Sequence, residues 1–231
     1  MPELKCLYIV PTPIGNLEDI TPRALRVLEA VILIACEDTR HSRRLLDHYH
    51  IHSPTTSYHE HNKVSKVGVI LSALERGDVA LISDAGTPGI SDPGYELIRA
   101  ALEAGAQVEA LPGPNAAITA LAASGLSAGG FIFLGFPPRK AGKLREFFEG
   151  CALRTETLIL YESPNRLVET LQAAFETLGD RQAAVALELT KMFEEIRRGT
   201  LTELSGYYQG TPPRGEVTII IAGNRTSPCT P

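Results

Sequence analysis

The chain has 231 residues, 44% of them hydrophobic, and carries 22 Lys and Arg against 27 Asp and Glu, a formal net charge of −5. This balance is typical of a globular protein with one or two domains. It disfavours a broad, nonspecific nucleic-acid binder, which would be basic. No apolar run approaches the ~20 residues needed to span a bilayer, and the first residues lack the apolar segment of a signal peptide, so we expect a cytoplasmic protein.

Short apolar runs alternate with amphipathic ones over about the first 125 residues. Strands are predicted at residues 4–10, 31–36, 79–83 and 108–111. Helices are predicted from Thr21, at residues 39–49 and 64–75, from Asp92 to about 104, and from Asn115 to 124. A regular β–α alternation of this kind predicts a parallel sheet covered by helices.

A segment rich in Gly, Ser and Ala at residues 125–130 interrupts this pattern. We place a domain boundary there, between domains at residues 1–125 and 130–225. In the second half, strands are predicted at residues 131–134, 157–161, 183–189, 193–198 and 216–222, with helices at 141–151 and from Ser163 to Gly179. The expected fold class is therefore α/β, with two α/β domains.

The four cysteines, Cys6, Cys36, Cys151 and Cys229, are far apart and show no CxxC spacing. We therefore expect reduced thiols rather than a disulfide framework or a zinc site, with Cys6 and Cys36 buried in strands. The run His59-Glu60-His61 has two imidazoles on one face, but no further ligand stands at a convincing spacing, so no metal site is predicted.

Four loops rich in Gly, Pro and short polar residues follow predicted strands, at residues 11–17, 83–94, 111–115 and 161–166. In an open parallel sheet, ligands bind beyond the carboxyl ends of the strands. Any one of these loops could be a simple turn, but four in equivalent positions indicate a binding site. None matches GxxxxGK[ST] or GxGxxG, which disfavours nucleotide triphosphate and NAD sites.

Six segments of the chain resemble, in the same order, a bacterial family, the ribosomal RNA small subunit methyltransferases I, within the tetrapyrrole methylase superfamily. The segments are residues 9–17, 36–40 (Cys-Glu-Asp-Thr-Arg), 57–62 (Ser-Tyr-His-Glu-His-Asn), 83–94, 112–115 (Pro-Gly-Pro-Asn) and 188–191 (Glu-Leu-Thr-Lys). The resemblance implies a homodimer, with S-adenosyl-L-methionine as methyl donor in a cleft between the two domains. It also implies 2′-O-methylation of a cytidine in the 16S rRNA of the small ribosomal subunit.

A site for S-adenosylmethionine needs backbone donors and acceptors and an apolar wall, and it can catalyse mainly by alignment, because the sulfonium already makes a good leaving group. The resemblance places donor contacts on both halves of the chain, including the region of residues 213–215. The cofactor-binding residues it implies are Pro11, Asp84, Gly86, Thr87, Pro88, Gly89, Ile90, Ser91, Asn115, Ala116, Tyr161 and Leu189. Asp84 could alternatively be an ordinary turn residue.

A ribose 2′-hydroxyl is a weak acid, so its attack on a methyl group needs a residue that accepts the proton or orients the oxygen. The catalytic candidates are Asp38 after the second strand, His59 in a short polar loop, and Lys191 after a strand of the second half. Each has a plainer alternative. Asp38 could cap the following helix, His59 could be solvated, and Lys191 could be a surface lysine.

Two basic clusters could bind a phosphate backbone, although charged helix faces are more often only solvated. Arg40, Arg43 and Arg44, with His41, form the first, and Arg139 and Lys140, followed by Lys143 and Arg145, form the second. The chain departs from the family pattern at Leu187, where an Arg is expected, so RNA binding here could differ. Two other functions stay open: methylation of a tetrapyrrole such as a corrin precursor, and a non-catalytic RNA-binding or ribosome-binding module.

Overall fold

The structure, a computed structural model, describes residues 4–224. The chain divides into two compact units, Met1–Asn115 and Ala116–Pro231. Each unit contains one five-stranded sheet with helices packed on it, which confirms the predicted α/β fold class. Within the described residues, no helix has both the length and the apolar character needed to cross a membrane.

The sheet of the first unit is entirely parallel. Its strands are β1 (Cys6–Ile9), β2 (Leu33–Cys36), β3 (Thr55–Ser57), β4 (Val79–Ile82) and β5 (Gln107–Ala110), in the order β3-β2-β4-β1-β5. Parallel strands that are covered on both faces have continuously apolar sequences. The central strand β4 is of this kind, since all four of its residues are buried.

Helices cover both faces of this sheet: α1 (Pro22–Ala30), α2 (Thr39–His48), α3 (Lys63–Leu74) and α4 (Tyr95–Glu103). Leu28 and Leu45 lie in one core, whereas Ile70 and Leu97 lie in the core on the opposite face. Thr21 caps α1 as predicted, because its hydroxyl accepts a hydrogen bond from Ala24 N at 3.1 Å. The predicted start of α4 at Asp92 is wrong, since the cap is Gly94.

The second unit has a mixed sheet with the order β6-β7-β10-β8-β9, in which only β6 and β7 are parallel. Its strands are β6 (Phe131–Phe133), β7 (Thr157–Glu162), β8 (Gln182–Leu187), β9 (Glu195–Thr200) and β10 (Val217–Ile221). Its helices are α5 (Ala116–Ser124), α6 (Ala141–Glu149), α7 (Leu167–Leu178) and α8 (Leu201–Gly210).

Helix α5 marks where the two units divide. Its buried residues, Ala117, Ala120, Leu121 and Ser124, belong to a helix that packs on strands β7, β8 and β10 of the second sheet. The division at Asn115 therefore lies about ten residues before the boundary predicted from composition. The Gly-rich segment at residues 125–130 joins this helix to β6 and is a connection inside the second unit.

Three of the four cysteines are free, buried thiols, as predicted: Cys6, Cys36 and Cys151. Burial is the largest effect on each, and it raises the pKa of all three thiols above the ordinary value of 9.0. Cys229 lies outside the described residues.

Candidate functional site

Two loops at the carboxyl ends of β1 and β4 are joined by backbone hydrogen bonds. Thr12 N donates to Gly86 O at 2.9 Å, and Gly86 N donates to Thr12 O at 3.0 Å. The buried Thr12 hydroxyl donates to Ser83 O at 3.0 Å, and the Ser83 hydroxyl donates to Gly86 O at 3.2 Å. Because every polar group of this bridge has a partner inside the protein, the two loops form one ordered wall.

The loop at residues 83–94 has a backbone that glycine makes possible. Gly86 and Gly89 adopt left-handed φ angles of 80° and 82°, a region that residues with a Cβ rarely occupy. Gly94 is needed for another reason, since a Cβ there would lie 2.9 Å from Gly89 N. Around Gly86 the loop is thus shaped by its backbone, with no side chain on Gly86 itself, a form suited to a small-molecule site.

The loop after β5 joins the same wall. The Thr87 hydroxyl donates to Pro114 O at 3.2 Å, and Asn115 Nδ2 lies 3.4 Å from Thr87 Oγ1. Seven of the predicted cofactor-binding residues lie in the three joined loops: Pro11, Asp84, Gly86, Thr87, Pro88, Gly89 and Asn115. Ile90 and Ser91 complete the same loop as exposed residues, and Ser91 has a left-handed φ of 61°.

A group of ionisable side chains lies at the adjoining strand ends. Cys36 in β2 is opposite both Ser57 in β3 and Ile82 in β4, so the residues that follow these three strands leave the sheet side by side. Asp38 N donates to Asp84 Oδ1 at 3.2 Å, which links the ends of β2 and β4.

Glu37 is the half-buried carboxyl of this group. Burial raises the pKa of Glu37 above its ordinary value of 4.5, and the negative charge of Asp84 adds to the rise, while His59 opposes it. A half-buried carboxyl within electrostatic reach of an imidazole is a candidate for proton transfer.

Asp38 and His59 have different surroundings. Asp38 Oδ1 accepts a hydrogen bond from Arg40 N at 2.8 Å and so caps α2, and this bond is the main reason that the pKa of Asp38 is lowered. His59 is half-buried, and its Nδ1 is buried without a hydrogen-bond partner among residues 4–224. The Asp38 side chain is therefore already used for capping, whereas His59 Nδ1 can still form a hydrogen bond.

The predicted residues of the second unit lie near the start of α5 and the end of β8. The Tyr161 hydroxyl accepts a hydrogen bond from Ala117 N at 3.2 Å, directly after Ala116. Leu189 is buried. Tyr161 lies in β7 and Ala116 is the first residue of α5.

Lys191 lies between two carboxylates. Its Nζ is 2.8 Å from Glu188 Oε1 and 3.1 Å from Glu216 Oε2. Burial lowers the pKa of Lys191, but the hydrogen bonds to both glutamates outweigh it and raise that pKa above the ordinary 10.5. Glu188 and Thr190 adopt left-handed φ angles of 48° and 66°, so the ion pairs fix a strained turn. Lys191 is thus held as a cation and is a poor proton acceptor.

The predicted RNA-binding arginines are exposed on α2. Arg40 Nη2 is 3.5 Å from Asp38 Oδ2, and Arg43 Nη1 is 3.9 Å from Asp47 Oδ1. Ion pairs between side chains as exposed as these contribute little to stability. Ser42, Leu45 and Leu46 form the buried side of the helix, so Arg40, Arg43 and Arg44 lie on its outer side.

Comparison with known proteins identifies the family. The model of the tetrapyrrole (corrin/porphyrin) methylases matches residues 6–205. The chain belongs to the tetrapyrrole methylase family. The motif resemblance is thereby confirmed, and it extends to curated relatives named ribosomal RNA small subunit methyltransferase I.

Two of these relatives match nearly the whole of this chain. The protein of that name from Mesorhizobium japonicum is 50% identical over 218 residues, which cover 93% of this chain and 74% of the relative. The one from Bacillus subtilis is 48% identical over 223 residues, which cover 96% and 76%. A solved cobalt precorrin-4 methyltransferase, a cobalamin biosynthetic enzyme, matches with a TM-score of 0.70 and 19% identity over 94% of each chain, which shows a shared fold.

Glu37 is the residue that sequence reasoning missed as a candidate for proton transfer. Its position directly after the buried strand β2 is the signal that could have indicated it, because this is where functional side chains of a parallel sheet stand. No group of three or more His, Cys, Asp and Glu side chains could hold a metal ion within residues 4–224.

Proposed function

We propose that this methyltransferase uses S-adenosyl-L-methionine to methylate the 2′-oxygen of a cytidine ribose in the 16S rRNA of the small ribosomal subunit. The proposal rests on the relatives that are 48–50% identical over at least 93% of the chain and whose names state small-subunit rRNA methylation. The cytoplasm is the compartment in which such a substrate would be met, and a homodimer is the assembly that the motif resemblance implies.

The joined loops of the first unit are suited to the donor. Gly86 and Gly89 offer backbone that no Cβ covers, Thr87 and Asn115 offer polar atoms, and the buried Pro11 offers an apolar contact. Residues 83–91 would be the main donor contact in the first unit, while Ala116, Tyr161 and Leu189 stay the contacts that the motif resemblance implies for the second. The sulfonium of S-adenosylmethionine supplies an electrophilic methyl group, so the protein needs chiefly to align the acceptor.

His59 is the proposed proton acceptor at the ribose 2′-hydroxyl. Its Nδ1 has no partner among the described residues, and the half-buried Glu37 lies close enough to interact with its charge. The 2′-oxygen would lose its proton to the imidazole as it gains the methyl group, and the bond from that methyl to the sulfonium would break to leave neutral S-adenosylhomocysteine. Glu37 would stabilise the resulting imidazolium. Asp38 is occupied by capping and Lys191 by two carboxylates, which makes both less suited to accept the proton.

The experiment is methyl transfer from a radiolabelled donor to purified small subunits that lack the modification, followed by nuclease digestion and nucleoside chromatography. Label in 2′-O-methylcytidine is the expected result. The matched variant His59→Asn should bind the donor normally and lose most transfer, because general acid–base catalysis contributes about 10²- to 10⁴-fold.

A tetrapyrrole methylase activity is the second candidate, because the family and the solved fold relative both include enzymes of that class. Label in a corrin precursor and none in RNA would establish it instead. A non-catalytic module would not bind the donor and would not transfer label. A calorimetric titration with S-adenosylmethionine therefore separates it from both enzymes.

A further inference from the structure

An exposed aromatic ring stands beside two exposed cations after strand β6. Phe136 is 61% exposed, which is unusual for a residue type that is mostly buried. Arg139 and Lys140 follow after two prolines, and both are exposed. Neither cation is in an ion pair within residues 4–224, whereas the next two along the chain, Lys143 and Arg145, pair with Glu146 and Glu149.

The Phe136 ring is supported from within the second unit. Its centroid lies 5.7 Å from that of Tyr161, and Tyr161 in turn lies 4.9 Å from Phe133. The preceding Gly135 has a left-handed φ of 65°, and its carbonyl accepts a hydrogen bond from Tyr161 N at 3.0 Å. The backbone before the ring is therefore fixed to β7.

The backbone after the ring is fixed as well. Arg166 Nη2 donates to Pro138 O at 2.8 Å, and its Nη1 lies 3.4 Å from Pro137 O. The Arg166 side chain is only 18% exposed and is paired with Glu162, which is 1% exposed. Burying an ion pair has a large desolvation cost. Because this loop is nevertheless held by a buried ion pair, we infer that the fixed position of the loop is important for function.

A second exposed aromatic residue provides a contrast. Phe193 is 79% exposed, but it is followed by Glu194 and Glu195, and the nearby Lys191 is already paired with two carboxylates. A polyanion would be repelled there, whereas the two cations after Phe136 would attract it.

We propose that Phe136 stacks on a base of single-stranded RNA while Arg139 and Lys140 contact the neighbouring phosphates. The inference rests on the proposed function, in that it takes RNA as the substrate, and it adds a base-stacking contact to the phosphate contacts predicted for the two cations. An aromatic platform beside unpaired cations is how proteins hold single strands, since every base has a face to stack and every nucleotide carries a phosphate.

The absence of Trp from the chain makes the test direct. Phe136→Trp creates a protein with a single Trp, whose fluorescence is quenched when a base stacks on it. A short single-stranded oligocytidylate should quench this signal, and inorganic polyphosphate, which has charge but no bases, should not. Phe193→Trp is the matched control and should show no quenching by either probe.

Affinity gives an independent readout. Phe136→Ala should weaken oligocytidylate binding by about 5- to 150-fold, the range that loss of one stacked base produces. Phe136→Tyr should restore binding. The salt dependence should be unchanged in Phe136→Ala, because no charge is removed, whereas Arg139→Ala with Lys140→Ala should flatten it.

Equal RNA affinity of Phe136→Ala and the parent protein would overturn the inference. It would also be overturned if the variant lost affinity for S-adenosylmethionine, because the ring would then line the donor site, or if it sedimented as a smaller species, because a second copy would then cover the ring. The proposed function is tested separately on the parent protein. If the parent and Phe136→Ala methylated small subunits at equal rates, the stacking proposal would be refuted and the proposed function would stand. If the parent did not methylate RNA, the proposed function would be refuted.

Discussion

Thr12 and Gly86 form a two-residue antiparallel bridge between the loops after β1 and β4. Both hydrogen bonds of the bridge are backbone to backbone, at 2.9 and 3.0 Å, so the position of Gly86 does not depend on any side chain of its own. The bridge explains how a left-handed residue can be held in place at the candidate donor site.

Gly86→Val is expected to abolish donor binding. At a φ of 80° a side chain costs about 1–2 kcal/mol, and the added atoms would lie over backbone that the donor needs. Calorimetric titration should detect no binding of S-adenosylmethionine, while thermal unfolding stays cooperative at a lower Tm.

The matched control is Gly105→Val. Gly105 has nearly the same φ, 85°, but has open space around its Cβ position and lies in the turn after α4. It should lower the Tm by a similar amount and leave donor binding intact. If both variants lost the donor equally, strain alone would account for the effect and the site would have to be sought elsewhere.

Glu37→Gln is expected to stabilise the protein at neutral pH. The folded-state pKa of Glu37 is raised above 4.5, so its contribution to stability is present below that pH and is lost as pH rises through the folded pKa. The variant should therefore unfold at higher denaturant than the parent at pH 7, with the difference shrinking towards pH 4. Methyl transfer should fall in the same variant. A stability difference that did not change with pH would contradict the assignment.

Lys191→Ala is expected to destabilise the protein at neutral pH and to have little effect in acid. Hydrogen bonding to Lys191 is the main reason that the pKa of Glu188 is lowered below 4.5, so this stabilisation is present above pH 4.5 and is lost in acid. The variant should lose up to about 1 kcal/mol at pH 7 and little at pH 3, measured by chemical denaturation. Lys191→Arg, which keeps the charge, should recover part of the loss. Complete loss of methyl transfer with unchanged stability would instead favour a direct catalytic role.

Replacing Arg40, Arg43 and Arg44 together by Ala is expected to weaken RNA binding and its salt dependence. The slope of log affinity against log salt should fall by roughly 0.7–0.9 for each phosphate that the variant no longer neutralises, with donor affinity unchanged. Lys143→Ala with Arg145→Ala is the control pair, since these cations lie 2.7 and 3.0 Å from glutamate oxygens, closer than Arg40 and Arg43 lie to their aspartates. If the salt slopes of the triple variant and the parent were parallel, α2 would be only a solvated helix.

Excess chelator is expected to leave methyl transfer at its full rate. Transfer from a sulfonium has no electronic requirement for a metal, and the proposed acceptor of the 2′-hydroxyl proton is an imidazole. Loss of activity in chelator that one divalent ion restored would contradict this.

The parallel sheet of the first unit can be predicted from the sequence because β2 and β4 are continuous apolar runs. Strand β3 and helix α8 cannot be predicted in this way. Thr55–Ser57 is a three-residue polar edge strand, and Leu201–Gly210 has a weak apolar stripe with glycines at two positions. The capping box of Thr200 and Glu203 is the local signal for α8 that pattern reading misses.

The candidate site likewise has one part that can be predicted from the sequence and one part that cannot. Gly86, Gly89 and the prolines of the donor loops can be recognised from composition, because turns that expose backbone need those residues. The neighbourhood of Glu37, His59 and Asp84 depends instead on the register of three strands, which no local pattern shows. Similarly, the exposure of Phe136 depends on how β6 and β7 pair.

The place of β1 between β4 and β5 has a consequence for how the protein is made. Leu7 pairs only with Val79 of β4 and Val108 of β5, so the first strand to leave the ribosome has no partner until β4 has been synthesised. At ~5–20 residues per second, about 70 residues of translation leave this apolar segment unpaired for roughly 4–14 seconds. We expect the unpaired apolar segment to be prone to aggregation between nascent chains during that interval.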